Sequence, residues 1–161
     1  MSSTTRYLRF FVSTREMTPE QARYFTEIDQ VNHVAVCAVE PTDAETRGYG
    51  IARFLRDTAA PDVAEFAVAV IDPMQGRGLG TSLLAALHLL AHQRGIRELR
   101  GEVLAENPVM PEWLPRVGAA LASAADPAYR LIRWPVLTVD VTGISPHFKL
   151  WLERLSDTFE R

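Results

Sequence analysis

The chain has 161 residues, 47% of them hydrophobic and 23% charged, with a formal net charge of -3. A chain of that length can bury about 70% of its unfolded surface in one core, and the composition excludes disordered, collagen-like and membrane-spanning classes. No block of like charge offers the basic footprint that a phosphate backbone or an anionic lipid surface needs, so neither nucleic acid nor membrane is expected as a partner.

Tyr7 to Val12 reads as a strand. Thr18-Pro19-Glu20-Gln21 then supplies a capping threonine, a proline at the first helical position and a glutamine three residues after the cap, which predicts a helix to about Asp29. The valine-rich run His33 to Glu40, the turn-prone Pro41 to Arg47 and the run Tyr49 to Leu55 predict a hairpin. Val63 to Ile71 (VAEFAVAVI) is a third β-rich run, ended by Asp72-Pro73. The loop QGRGLG follows, and then a long helix with Leu83, Leu84, Leu87, Leu90 and Ala91 on one face and Gly95 at its end. Arg97 to Ala105 alternates as a strand, whereas Pro108, Pro111 and Pro115 leave any helix after Asn107 short or broken. Leu131 to Val141 is β-rich but interrupted by Pro135. Ser145-Pro146 opens a last helix, about 145–160, whose stripe of Phe148, Trp151, Leu152, Leu155 and Phe159 suits core or a homodimer face.

With no repeat or linker, residues 1–161 read as a single α/β domain with a mixed sheet. The lone Cys37 forms no intrachain disulfide and reads as a small core residue. The opening MSSTTRYLRF lacks the apolar run of a secretory signal, so a cytoplasmic setting is expected.

The most informative stretch is Gln75-Gly76-Arg77-Gly78-Leu79-Gly80-Thr81. Alternating glycines at a strand-to-helix junction let successive backbone N–H groups converge, and the helix N-terminus adds about half a positive charge, so a phosphate or diphosphate is the natural guest. The stretch is neither a Walker A loop, lacking Gly-Lys-Ser/Thr, nor the G-x-G-x-x-G dinucleotide fingerprint, and a simple direction-reversing turn is the alternative. Glu65 stands out differently: a carboxylate in the apolar run AEFAVAV is costly unless it is paired, solvated at a sheet edge or functional.

Gln75-x-x-Gly78-x-Gly80 resembles the Q/R-x-x-G-x-G/A coenzyme A loop of the GNAT superfamily of N-acetyltransferases, and the surrounding segment from about Arg6 to Gly118 is similar to that superfamily's central part. Within it, RFFVSTREMTPEQARYFTEID, HVAVCAV and AEFAV resemble the catalytic domain of Pat-type protein lysine acetyltransferases. The resemblance implies a mostly antiparallel central sheet flanked by helices and splayed at the acetyl-CoA site. It implies that the loop residues Gln75, Gly76, Arg77, Gly78, Leu79, Gly80 and Thr81 hold the coenzyme's diphosphate. Val68, Ala69 and Val70 would bind the pantetheine arm through their backbone, and Asn107 would contact that arm. Glu65 would be the general base that deprotonates the acceptor ammonium. Acetyl-CoA would be the cosubstrate and a protein lysine the acceptor, the usual targets being AMP-forming acyl-CoA synthetases. A small amine acceptor, or a non-catalytic acyl-CoA sensor, are the alternatives.

The segment PVMPEWLPRVGA lacks the tyrosine that many GNAT enzymes use as a general acid, and Gln30 stands where the Pat pattern tends to have an aromatic residue. His88 and His92, spaced i, i+4, have no third ligand in sequence and predict no metal site.

Overall fold

The computed structural model describes residues 18–40, 47–136 and 144–159. The strand expected at Tyr7 to Val12, the turn after Glu40 up to residue 46, and residues 137–141 lie outside them.

Helix α1, Pro19–Thr26, starts at the proline the capping pattern marks. It stops before the expected Asp29 because that carboxylate gathers the following backbone. Asp29 Oδ1 accepts the N–H groups of Val31, Asn32 and His33 at 2.8, 2.9 and 2.8 Å, and Gln30 turns to φ 58°. A short acidic side chain that bonds nearby N–H groups competes with helix propagation.

Six strands, β1 (His33–Glu40), β2 (Arg47–Arg56), β3 (Val63–Val70), β4 (Glu98–Leu104), β5 (Ala120–Ser123) and β6 (Tyr129–Pro135), form one sheet of order β1-β2-β3-β4-β6-β5. Among the described strands only the β3–β4 pairing is parallel, so the sheet is mixed and mostly antiparallel as expected. The parallel pair requires a crossover, supplied by helix α2, Leu79–Gln93. After β4 come a single helical turn α3 (Met110–Trp113) and a 3₁₀ turn, Leu114–Val117, and the chain closes with α4, Pro146–Phe159.

Period-two alternation puts Val34, Ala52, Phe54, Ala64, Phe66, Leu99, Val103, Ile132 and Trp134 into the core. The predicted α2 stripe is buried, each leucine contributing about 1.5–3 kcal/mol by leaving water. Ala85, Ala86 and His88 are buried too, so α2 is covered on more than its stripe. The second cover is α4, whose Phe148 and Leu152 are buried and whose Trp151 and Leu155 pack against the core. His88 packs tilted against Trp134 and edge-on to Phe148, at centroid distances of 5.1 and 6.1 Å, while His92 is exposed. Trp134 donates its indole N–H to the Val117 carbonyl at 2.8 Å.

One expectation is corrected: Cys37 is exposed rather than core, because in β1 it alternates with the buried Val34 and half-buried Val36. Of the run Leu131 to Val141, the described part belongs to β6, which begins at Tyr129 and ends at the interrupting Pro135, and β5 joins it although ALAS carries no alternation a sequence reading would find. No described helix is long and apolar enough to cross a membrane.

Candidate functional site

The site begins where two strands part. β3 pairs with β4 only at Val63↔Glu98, Ala64↔Leu99 and Glu65↔Arg100. Beyond Glu65, β3 continues to Val70 along β2, with Val68↔Ala52, Ala69↔Ile51 and Val70↔Gly50, while β4 continues along β6. The β4-facing edge of Val68, Ala69 and Val70 therefore lines an open cleft instead of a ladder. Backbone N–H and C=O groups left unladdered beside a cleft suit an extended, amide-bearing ligand arm.

The cleft, about 550 Å³, runs from those residues to the glycine loop, with Gln75, Gly76, Gly78, Gly80 and Thr81 on its lining. Gly76 and Gly78 have φ of 70° and 83°, the left-handed region where a side chain is disfavoured. Gly78 is the N-cap of α2, and no side chain caps that helix. Its first-turn N–H groups are thus oriented as an anion site with the helix dipole behind them. Gln75 anchors the loop to the strand by donating from Nε2 to the Val70 carbonyl at 3.1 Å. Arg77 and Leu79 lie on the loop but off the cleft lining, Arg77 being exposed.

The far wall is Asn107, Pro108, Val109 and Met110, then Glu112, Trp113 and Arg116. Asn107 is buried, and its Oδ1 accepts the N–H groups of Val109 and Met110 at 3.0 and 3.1 Å. It is thus both a turn cap and a cleft residue. Trp113 lies across the start of α2: its indole N–H donates to Thr81 Oγ1 at 3.3 Å, and a β-carbon on Gly80 would fall 3.0 Å from its Cζ2. The indole fills part of the wall that Pro111 and Pro115 prevent from being a regular helix.

Glu65 sits at the fork itself, as the last β3 residue paired to β4, but its side chain is exposed and off the cleft lining. Its register partners are Leu55 and Arg100, and its side chain makes no hydrogen bond or ion pair with another described residue. Arg100 turns instead to Glu98, whose carboxyl is held below the usual range by Arg100 and Arg133. Away from the cleft, burial and the Arg53 charge push the His33 imidazole down, with Asp29 opposing.

Sequence reasoning missed Trp113, Arg116 and His147. The first two fall in a proline-broken segment without periodicity. His147 belongs to the last helix, yet a β-carbon on Gly78 would lie 2.9 Å from its Nε2.

Residues 4–118 match the family described as Acetyltransferase (GNAT) family. The chain is 34% identical over 122 residues to acetyltransferase Pat of Mycolicibacterium smegmatis, covering 73% of this chain and 34% of that protein. It is 30% identical over 110 residues to an acetyltransferase of Pseudomonas aeruginosa, covering 68% of this chain and 59% of that one. The chain thus spans only a part of either relative. Its structure superposes on the GNAT domain of S. lividans PAT with a TM-score of 0.75 at 27% identity, over 84% of this chain and 78% of that one. A cAMP-binding acyltransferase from Mycobacterium smegmatis aligns with a TM-score of 0.60 at 28% identity, over 95% of this chain and 47% of that one.

Proposed function

The chain belongs to the GNAT acetyltransferase family, and from that premise we propose that it transfers the acetyl group of acetyl-CoA to a primary amine, a protein lysine by its likeness to Pat. The observation that carries the reading is the parting of β3 from β4 at Glu65 beside a helix N-terminus with no side-chain cap. The coenzyme's diphosphate lies on the loop from Gln75 to Thr81, and its pantetheine amides bond the open edge of Val68 to Val70. That arrangement brings the thioester to the fork.

In the reaction the amine nitrogen attacks the thioester carbonyl carbon, the carbonyl oxygen gains the charge, and the C–S bond then breaks to release the coenzyme thiolate. A lysine ammonium with a pKa of about 10.4 must lose a proton before attack. Glu65 takes it, directly or through one water, its carboxylate being exposed at the fork and bonded to no described residue. Backbone N–H donors of the open β3 edge stabilise the oxyanion. Solvent protonates the thiolate, whose thiol-like pKa of about 8.5 makes it a fair leaving group.

The test is intact-mass analysis of an AMP-forming acyl-CoA synthetase incubated with acetyl-CoA and this protein. Addition of one acetyl group, dependent on the protein and on acetyl-CoA, supports the reading. Coenzyme binding without acetylation of the synthetase or of a panel of small amines would leave an acyl-CoA-binding module instead of an enzyme.

A further inference from the structure

We propose that Arg116 is a ligand of the coenzyme diphosphate, closing from the far wall the anion site that the glycine loop opens. This inference rests on the coenzyme reading above.

Arg116 lines the same cleft as Gly76 and Gly78. Among the described residues it forms no ion pair, and Glu112 is the one other charged side chain on the cleft lining. A solvated carboxylate one helical turn away leaves two questions: which of the two faces the loop, and what fixes it there.

Contacts along the wall order them. The wall starts at Asn107, whose side chain caps Val109 and Met110, so Glu112 lies toward the Asn107 end. Trp113 touches Gly80 and Thr81 at the start of α2. Next, the Arg116 carbonyl accepts the Ser145 N–H at 2.9 Å, and two residues further on His147 packs on Gly78. Arg116 is therefore on the side of Trp113 that α4 ties to the loop, and Glu112 is on its Asn107 side. The tie is itself braced, since the Trp151 indole N–H donates to His147 Nε2 at 3.3 Å.

The chemistry suits the placement. The loop offers neutral N–H dipoles, which orient a diphosphate without balancing its charge. A guanidinium across the groove adds a full charge and a planar fork that matches two phosphate oxygens. The family match ends at residue 118, so the segment that positions this arginine, Ser145 and α4, lies beyond it.

The test is calorimetric titration of the full chain with coenzyme A and with 3′-dephospho-coenzyme A, which keeps the diphosphate and lacks the 3′-phosphate. Arg116→Ala should weaken both ligands equally, by about tenfold, the loss typical of one charge-assisted contact. Arg116→Lys should recover part of the loss, keeping the charge without the fork, and Arg116→Gln little of it, whereas a merely structural role would leave lysine and glutamine alike. A loss confined to coenzyme A would assign Arg116 to the 3′-phosphate and overturn the proposal, as would unchanged affinities. Thermal melts of the lysine and glutamine variants guard against a folding defect in the alanine variant. Failure of the unaltered protein to bind coenzyme A would remove the coenzyme reading and this inference with it; binding that ignores Arg116 removes only the inference.

Discussion

The His147 imidazole packs so closely on Gly78 that a β-carbon built on the glycine would fall 2.9 Å from Nε2. The same glycine holds φ 83° as the N-cap of α2. Gly78→Ala therefore meets two costs, about 1–2 kcal/mol for the left-handed backbone and a further contact penalty if the ring cannot swing away. The thermal midpoint should fall by about 2–8 °C in a chain of this size. Adding His147→Ala should restore only the contact part. Full restoration by the double variant would show that the backbone conformation costs nothing here.

Asn107 caps a turn, and substitution can separate that role from the coenzyme contact proposed for it. Asn107→Ala removes the acceptor for the Val109 and Met110 N–H groups, and loss of such a cap typically costs about 1–2 kcal/mol. Asn107→Asp keeps an acceptor in the same place but replaces the amide donor with a second oxygen. The aspartate variant should melt near the unaltered protein while binding coenzyme A several-fold more weakly, about 1 kcal/mol for a lost donor to the arm. If the aspartate variant binds as well as asparagine, Asn107 is a turn cap and nothing more.

What could be read from the sequence was what depends on neighbours along the chain. Thr18-Pro19 marks a helix start, the leucines of α2 repeat at helical spacing, and glycines at 76 and 78 announce left-handed backbone before an anion-ready helix. Glu65 was singled out by its apolar neighbours, yet the structure gives it water, because β3 presents it away from Phe66 and the core. Period two shows that Cys37 and Val36 face opposite ways and does not say which side α2 will cover. β5 exists because β6 offers it an edge, and Trp113, Arg116 and His147 reach the loop through tertiary packing of segments far apart in sequence.

The pH dependence of stability should show His33. Its folded pKa lies below the ordinary value of 6.5, first because burial disfavours the charged ring and second because Arg53 is near. The unfolded chain then binds more protons than the native one, so the stabilisation is full above 6.5 and is lost as pH falls through the folded value. The carboxyl of Asp29 is also held low, by the backbone N–H groups of Val31 and His33, but its window opens only below its ordinary 3.8. Melts between pH 7.5 and 5 should therefore show a falling midpoint that His33→Gln makes shallower. Parallel slopes for the two proteins would contradict the assignment.

The sharpest mechanistic prediction concerns Glu65. It is the last β3 residue paired to β4, and its side chain is exposed and bonded to no other described residue, while its neighbour Arg100 is occupied by Glu98. A general base so placed exchanges protons with solvent and can serve an ammonium delivered to the fork. Glu65→Gln keeps the shape and removes the basic oxygen, so turnover should fall by about 10²–10⁴. The coenzyme dissociation constant should not move, because Glu65 is off the cleft lining that the loop and β3 edge supply. Arg100→Ala, which touches neither amine nor coenzyme in this scheme, should leave turnover within about twofold of the unaltered enzyme, as expected of a surface ion pair. Full activity in Glu65→Gln would pass the proton to solvent or to another group; a shared loss of activity and coenzyme affinity would mean that Glu65 shapes the fork instead of serving as its base.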